Sequence, residues 1–361
     1  MKTFAVYNLG CRVNAAETNL FAQSLINKKY LPTSKNPDVI FINTCSVTKK
    51  ANTESLGQIR RLQKKYPQAK IVISGCASLK NLKITKNIQI ISNFKKEETL
   101  KKFNSRYSHQ IKDKFSHTDR YLLKVQSGCT AYCSYCTVSQ KRPYLWSLPI
   151  DIAIDTVNKA VKDGYKEVII TGVNLNQYTP GFSNLVEALL TKTKISLISF
   201  GSIPINCIDQ KLIDLFSDYS SRLFPFLHIP IQSGSDKILK LMNRNYTKKI
   251  ILKKFSLLKN ISPLLVKGGV GGGLSFGTDI IVGFPSETET DFQETINLCQ
   301  KIGFSKIHVF KYSPRPATSA RDLYLKSEKI PKIILKKRSE QLRNLISQTT
   351  LPSHQKQERK S

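Results

Sequence analysis

The chain has 361 residues, of which 40% are hydrophobic and 23% are charged, as in a globular protein with room for two domains. It has 57 lysines and arginines but only 25 aspartates and glutamates, which gives a formal net charge of +32. Such a charge favours a polyanionic partner, with nucleic acid the leading candidate. No apolar run approaches the ~20 residues that cross a bilayer, and eight cysteines are too sparse for a disulfide scaffold. We therefore expect no membrane partner and reduced thiols in a cytoplasmic protein.

Three predicted strands in the first hundred residues alternate with helical patterns, and each strand leads into a cysteine. The strands are Thr3–Asn8, Asp38–Asn43 and Lys70–Ser74, and the cysteines that follow them are Cys11, Cys45 and Cys76. A strand–helix repeat of about 30 residues is typical of a parallel sheet, whose strands end at one common edge. We therefore expect the three cysteines to meet there. Three thiols in the same structural position favour an iron–sulfur site over buried apolar thiols.

The polar residues 101–118 lack a clear apolar period and mark the expected domain boundary. We expect an N-terminal parallel-sheet α/β domain at residues 1–112, a second domain at residues 115–345 and a polar basic tail at residues 346–361. In the second domain, six predicted strands alternate with helices and predict a partial (βα)6 barrel with its working face at the strand C-termini. These strands are expected near residues 121–125, 167–171, 195–200, 224–231, 278–282 and 306–312.

The first strand of the second domain leads into Cys129, Cys133 and Cys136, which have the spacing C-x3-C-x2-C. Three thiols on one short loop are one ligand short of the four that a closed structural zinc or iron site needs. A 4Fe–4S cluster held in this way keeps one iron free for a small molecule. The alternative is a zinc knuckle with a distant fourth ligand.

Together these motifs resemble the radical S-adenosylmethionine (SAM) methylthiotransferase family over residues 1 to about 325. Besides the cysteine triplet, the motifs are residues 9–14, 43–48, 75–77, 228–235, 242–244 and 278–285. Two of these motifs, Arg12-Val13-Asn14 and Asn43-Thr-Cys-Ser-Val-Thr48, are similar to the MtaB type, which methylthiolates C2 of N6-threonylcarbamoyladenosine at position 37 of tRNA. The alternatives within the family are the MiaB type, which acts on isopentenyladenosine 37, and the RimO type, which modifies a ribosomal protein.

The resemblance implies two 4Fe–4S clusters and SAM as cofactors. The cluster on Cys129, Cys133 and Cys136 would cleave SAM to a radical that abstracts hydrogen from the substrate. Sulfur would arrive through the cluster on the other three cysteines, and a second SAM would supply the methyl group. The implied partners are the tRNA anticodon loop, an electron donor such as flavodoxin or ferredoxin, and a sulfur donor. The expected SAM contacts are Gly172, Asn174, Ser202, Gln232, Ser233 and Gly234.

Some positions depart from the family pattern. Residues 141–148 stand where the family commonly has Arg-Gly and, a few residues on, Ser-Arg, so one basic residue for RNA phosphate is expected to be missing. Pro204 directly follows Ile203 where Glu-Pro is usual. The tRNA-binding TRAM domain of the family is expected to be absent. In its place we expect RNA contacts from a C-terminal basic helix, through Lys332, Lys336, Lys337, Arg338 and Arg343.

A non-catalytic iron–sulfur protein that binds nucleic acid through its charge is the alternative from a different class. The motifs at residues 228–235 and 278–285 disfavour it, because an electron carrier needs no SAM pocket.

Overall fold

The computed structural model describes residues 1–96, 120–267 and 273–347. The chain divides into two compact units. The first unit comprises residues 1–129, 140–173 and 191–196, and the second comprises residues 130–139, 174–190 and 197–361. The expected domain boundary at residues 101–118 and most of the expected basic tail lie outside the described residues, so the domain limits stay predictions.

A five-stranded parallel sheet with the order β2-β1-β3-β4-β5 begins the first unit. Its strands are β1 (Thr3–Asn8), β2 (Leu31–Pro32), β3 (Val39–Thr44), β4 (Lys70–Gly75) and β5 (Ile88–Ile90), joined in part by α1 (Arg12–Asn27) and α2 (Lys49–Lys65). The central strand β3 reads Val-Ile-Phe-Ile-Asn-Thr and is almost wholly buried, as expected for a parallel strand covered on both faces. Ile40 and Ile42 pack with Ile59 of α2 in one apolar cluster.

The first unit also contains β6 (Arg120–Ser127), which pairs in parallel with β8 (Glu167–Gly172) and antiparallel with the short β7 (Trp146–Ser147). Between them lie α3 (Val138–Lys141) and α4 (Ile150–Lys162). In α4, Ala153, Val157 and Ala160 are buried at helical spacing, so one apolar stripe of this helix faces the core.

The second unit contains a three-stranded parallel sheet with the order β10-β11-β12. Its elements in chain order are α5 (Phe182–Lys192, which ends in the first unit), β9 (Leu197–Phe200), α6 (Gln210–Asp218), β10 (Phe226–His228), α7 (Asp236–Leu241), α8 (Lys248–Lys267), β11 (Ser275–Val282), α9 (Glu289–Ile302), β12 (Lys306–Lys311), α10 (Ser319–Lys326) and α11 (Lys332–Ser347). Short 3-10 helices occupy Leu175–Gln177 and Ile205–Cys207.

The two faces of β11 have different neighbours. Phe276 points to α8, where its ring meets that of Phe255 edge-on at 5.1 Å between centroids. Side chains alternate along a strand, so Gly277, Asp279 and Ile281 share the opposite face. Ile281 there packs in a cluster that includes Tyr135 of the second unit. This second face, turned away from α8, is called the inner face below.

The structure confirms the mixed α/β fold with an N-terminal parallel sheet. All six strands expected after residue 115 are present, as β6 and β8 to β12. The fourth is shorter than expected and ends at His228, because Pro230 cannot donate to a ladder and Gln232 has a φ of +69°. No helix in the described part of the chain has the length and apolar composition to cross a membrane.

Candidate active site

Cys11, Cys45 and Cys76 lie at one edge of the N-terminal sheet, and they are called the three-cysteine edge here. Cys45 and Cys76 directly follow the adjacent strands β3 and β4, and the Cys76 amide donates to the Thr44 carbonyl at 3.0 Å. Cys11 precedes α1, on the loop after β1. The structure thus brings the three cysteines to the common edge that the strand–helix repeat predicts; their role as ligands stays a prediction.

Glycine at position 10 allows these loops to approach each other. Gly10 has a φ of +111°, and a Cβ there would lie 2.8 Å from the Cys45 Sγ. Burial raises the pKa of the Cys45 thiol; a hydrogen bond from the Val47 amide opposes the rise, and the nearby Cys11 and Cys76 thiols reinforce it. The Cys45 thiol, with the Cys11 and Cys76 thiols near it and an amide donor beside it, is a suitable donor set for an iron–sulfur cluster.

A buried charge cluster lies beside this edge in the first unit, formed by Glu17, Lys96, Lys124 and Arg142. Glu17 is completely buried, and its carboxylate accepts from Lys96 Nζ at 2.5 Å, Lys124 Nζ at 2.7 Å and Arg142 Nη1 at 2.6 Å. Burial alone would raise the pKa of Glu17, but the three cations hold it well below its usual range. Burial also lowers the pKa of Lys96 to about 8.

Asn14 connects the charge cluster to the three-cysteine edge. Its side-chain oxygen accepts from Arg142 Nη2 at 3.2 Å, and its Nδ2 donates to the carbonyls of Leu9 and Thr44 at 3.0 and 2.9 Å. Leu9 and Thr44 stand close before Cys11 and Cys45 in the chain. The Arg12-Val13-Asn14 motif therefore has a structural role, since Asn14 holds two of the loops that carry the cysteines.

Arg142 shows what sequence reasoning missed. The departure from an Arg-Gly run directed attention to possible loss of phosphate contacts, yet Arg142 is buried and pairs with Glu17, 125 positions earlier. No local signal in the sequence identifies such a long-range pair.

Of the three cysteines at positions 129, 133 and 136, Cys129 belongs to the first unit. It directly follows β6 and Gly128, and its amide donates to the Arg142 carbonyl at 3.0 Å. Gly128 has a φ of +85°, and a Cβ there would lie 2.1 Å from the Tyr144 carbonyl oxygen. This position therefore requires glycine, which fixes where the chain leaves the strand.

Cys133 and Cys136 belong to the second unit, where the Met242-Asn243-Arg244 segment holds their loop. Asn243 Nδ2 donates to the Tyr132 carbonyl at 3.0 Å, and the Met242 carbonyl accepts from the Ser134 amide at 3.1 Å. Arg244 Nη1 donates to Cys133 Sγ at 3.3 Å. Sequence comparison singled out this segment as a motif, and the structure supplies its physical reason.

The amide of Val138 donates to Cys136 Sγ at 3.4 Å, so both thiols of this part of the loop accept a hydrogen bond from nitrogen. Such donors stabilise thiolate sulfur and raise the reduction potential of a cluster bound to it.

The remaining two cysteines of the chain lie outside both groups. Cys207 and Cys299 are buried, and burial raises the pKa of each thiol to about 12, as expected for inert core thiols.

The expected SAM contacts fall at several strand ends. Gly172 is the last residue of β8, and Asn174 precedes a 3-10 helix and donates to Gln177 Oε1 at 3.3 Å. Gln177 in turn bonds the Thr130 hydroxyl at 2.6 Å and the Thr130 amide at 3.0 Å. Ser202 follows β9 and forms a β-bridge with His228. The contacts of these residues with SAM stay predictions.

Ser233 and Gly234 have partners on the helix side of the sheet. The Gly234 amide donates to Thr295 Oγ1 of α9 at 2.9 Å, and a Cβ at position 234 would lie 2.6 Å from the Thr295 Cα. Ser233 is buried beside the same threonine. Gln232, between β10 and these residues, bonds through its amide to the Asp279 carbonyl at 2.9 Å. Close packing against α9 thus explains the glycine at position 234.

The C-terminal helix α11 packs inside the second unit instead of standing free. Arg338 is buried and donates to Glu287 at 2.6 Å and to Glu289 at 2.9 Å, with its guanidinium 5.1 Å from the centre of the Phe292 ring. Burial raises the pKa of Glu287 to about 7, against the opposing effects of the Gly283 amide and Arg338. The expectation that Arg338 contacts RNA is therefore wrong; Lys332, Lys336, Lys337 and Arg343 are exposed.

Comparisons with known proteins agree with this picture. The profile described as the Radical SAM superfamily matches residues 123–299, and the one described as Uncharacterized protein family UPF0004 matches residues 3–94. The threonylcarbamoyladenosine tRNA methylthiotransferase MtaB of Thermotoga maritima is 32% identical over 344 residues, covering 89% of this chain and 77% of the relative. The tRNA-2-methylthio-N(6)-dimethylallyladenosine synthase of Thermodesulfovibrio yellowstonii is 31% identical over 351 residues, covering 90% and 79%.

Solved structures support the fold. The radical SAM methyltransferase TsrM from Kitasatospora setae aligns with a TM-score of 0.61 at 10% identity, covering 89% of this chain and 77% of TsrM. The cobalamin-dependent radical SAM enzyme OxsB aligns with a TM-score of 0.52 at 12% identity, covering 93% and 56%. At such identities the likeness concerns the fold alone, whereas the curated relatives show the family. The chain belongs to the radical SAM methylthiotransferases and is an enzyme that transfers a methylthio group.

Proposed function

We propose that this enzyme inserts sulfur and a methyl group at C2 of N6-threonylcarbamoyladenosine at position 37 of tRNA. The main support for this proposal is that the chain has two separate groups of three cysteines, one at the edge of the N-terminal sheet and one on the loop after β6. Sulfur insertion needs both a radical source and a sulfur carrier, and two such groups match two tasks. Relatives named MtaB at 30 to 32% identity favour the threonylcarbamoyl substrate.

The radical SAM fold implies one 4Fe–4S cluster and SAM, and we propose a second cluster on the three-cysteine edge. The residues fit both groups, because all six cysteines are free thiols, and Cys45, Cys76, Cys133 and Cys136 accept hydrogen bonds at sulfur from nitrogen donors of Val47, Asn93, Arg244 and Val138. When bound, these groups would supply the radical that activates the substrate carbon and the sulfur that replaces its hydrogen. A cluster held by only three thiols would have one iron available to a small molecule.

The chain's own residues position and shield this chemistry. Arg244 donates to Cys133 Sγ and is itself fixed by the Tyr246 hydroxyl at 2.8 Å. Tyr135, next to Cys136, is half-buried and packs against the apolar cluster that contains Ile281 and Phe284, which shields that side of the loop. Asn14 and the charge cluster hold the loops of Cys11 and Cys45. These contacts would hold the cysteine loops in place and shield bound clusters from water.

The proposal includes tRNA binding through the anticodon loop, supported by the charge of +32 and by the tRNA enzymes among the relatives. It also includes a one-electron donor such as flavodoxin or ferredoxin and a sulfur donor, since the chemistry consumes electrons and sulfur. A tRNA substrate and reduced thiols together favour reaction in the cytoplasm.

A second candidate substrate is isopentenyladenosine 37, because a dimethylallyladenosine synthase reaches 31% identity over 351 residues. Nucleoside mass spectrometry of bulk tRNA from a strain lacking the gene separates the two. We expect loss of 2-methylthio-N6-threonylcarbamoyladenosine with the isopentenyl derivative unchanged, and return of the former on complementation. Loss of the isopentenyl derivative instead would overturn the substrate assignment while leaving the enzyme class intact.

A further inference from the structure

A polar constellation outside the cysteine sites stands on the three-stranded sheet of the second unit. His228 Nε2 lies 2.9 Å and His308 Nδ1 lies 3.1 Å from the same oxygen, Asp279 Oδ1. The two imidazole centroids are 5.1 Å apart. These residues come from three adjacent parallel strands, β10, β11 and β12, so the sheet itself sets their spacing.

The protonation of this group follows from the carboxylate. Burial would raise the pKa of Asp279, but the hydrogen bonds and charges of His228 and His308 outweigh burial and hold the pKa at about 2. An ionised carboxylate only accepts hydrogen bonds, so both imidazole nitrogens facing it carry protons. That fixes the orientation of each ring and leaves the outer nitrogen, Nε2 in His308, directed away from Asp279.

The constellation lies on the inner face of the sheet. Asp279 shares that face with Gly277 and Ile281, and a Cβ at Gly277 would lie 2.7 Å from His228 Nδ1, so glycine makes room for the imidazole. Ile281, one position further along the face, packs in the same cluster as Tyr135 of the cysteine loop. The His308 side chain is 46% exposed, which leaves its outer nitrogen accessible to a ligand.

We propose that His228, Asp279 and His308 form the recognition site for the amino-acid substituent of the substrate adenine. This inference rests on the proposed function, because it concerns what that substituent is. A threonylcarbamoyl group ends in a carboxylate and a hydroxyl. His308 Nε2 accepts from the hydroxyl when neutral and donates to the carboxylate when protonated, so either state of the imidazole has a partner.

An apolar dimethylallyl group can form a hydrogen bond with neither the neutral nor the protonated imidazole of His308. Covering the imidazole and carboxylate with it would take them from water with no replacement hydrogen bond, and sites built to bond a polar group reject analogues that lack it. The constellation thus selects for the threonylcarbamoyl substituent and against the apolar one. Asp279 acts as a positioning residue, since it orients His308 and does not itself face the ligand.

The test compares RNA anticodon stem–loops that carry threonylcarbamoyladenosine or its carboxylate methyl ester, bound to the full iron-loaded chain and followed by fluorescence anisotropy. The unaltered protein should prefer the free carboxylate by about tenfold. His308→Asn retains a donor for Asp279 and loses the outer nitrogen, so the preference should fall to within about twofold. His308→Gln restores a polar atom at the outer position and should recover part of it.

Lys306→Met is the matched control, because it removes a cation from the same strand and the same face of β12. It should leave the preference for the free carboxylate intact, even if every RNA binds more weakly. Equal loss of the preference in Lys306→Met would assign it to general charge and overturn the inference. So would an unchanged preference in His308→Asn.

Two further outcomes separate this inference from the proposed function. Methylthiolation of the threonylcarbamoyl RNA by a His308→Asn protein that still discriminates the ester would refute the inference alone. Methylthiolation only of isopentenyl RNA by the unaltered protein would refute both. A stoichiometric divalent ion, bound by the unaltered protein and lost in His308→Asn, would assign the three side chains to a metal and also overturn the inference.

Discussion

The two cysteine regions of this enzyme are supported in opposite ways. The three-cysteine edge depends on side chains that are distant in sequence. Glu17 pairs with the cations at positions 96, 124 and 142, and Asn14 accepts a hydrogen bond from Arg142 and holds the loops of Cys11 and Cys45. The loop of Cys133 and Cys136 depends on backbone carbonyls and on one segment, Met242 to Arg244. One region is held by buried charge and the other by hydrogen bonds from a single distant segment.

This difference predicts different sensitivities. A buried ion cluster costs much to break, because removing one partner leaves the other charges desolvated. Hydrogen bonds to backbone carbonyls are individually weaker and can be lost singly. Substitutions at the first region should therefore act mainly on folding, and those at the second mainly on the properties of a bound cluster.

The largest effect is expected for Glu17→Gln. The change leaves Lys96, Lys124 and Arg142 buried without their shared carboxylate, and the free energy of unfolding should fall by about 3–5 kcal/mol. Urea denaturation of the iron-free protein measures it. Glu54→Gln is the control, because Glu54 forms an exposed pair with Lys50 at 3.8 Å and should change stability by less than about 0.5 kcal/mol. Equal stability of the two variants would contradict the assigned role of the charge cluster.

Arg244→Met should have a smaller effect on folding and a specific one on the cluster. Loss of the bonds to Tyr246 and Cys133 should lower the free energy of unfolding by about 1–3 kcal/mol. Removing an N–H···S hydrogen bond should also make the reduction potential of the SAM-cleaving cluster more negative. Redox titration followed by electron paramagnetic resonance measures the potential. Arg321→Met, an exposed arginine of α10, is the control, and a potential that is the same in both variants would contradict the role of Arg244.

The smallest effect concerns Lys96 and pH. Its pKa is about 8 in the folded protein against 10.5 in the unfolded chain, so the folded state loses its proton first. Above pH 8 the unfolded chain binds more protons, and the free energy of unfolding should rise by roughly 1 kcal/mol per pH unit towards pH 10. Lys96→Met should lack this rise. Urea midpoints of both proteins at pH 7.5 and 9.5 measure this rise. The same pH dependence in both proteins would contradict the lowered pKa of Lys96.

Much of the fold follows from the sequence because its signals are periodic and local. The expected strand Thr3–Asn8 has the observed bounds, and the strand expected near residues 167–171 is observed at Glu167–Gly172. The cysteines after β1, β3 and β4 meet because parallel strands share an edge. Side-chain pairing is different. Nothing near Arg142 or Arg338 in the sequence indicates Glu17 or Glu287 as a partner, since such pairs depend on three-dimensional packing. The same holds for Asp279, His228 and His308, which only the order of three strands brings together.

The central claim is that the two cysteine regions hold separate clusters with separate tasks. Iron content and 5′-deoxyadenosine formation from SAM, measured on anaerobically reconstituted Cys45→Ala and Cys133→Ala, test it most directly. Both variants should lose about half of the iron, because two thiolates hold a cluster poorly. Cys45→Ala should still cleave SAM and fail to methylthiolate tRNA, whereas Cys133→Ala should do neither. Full iron content with full methylthiolation in Cys45→Ala would contradict the account.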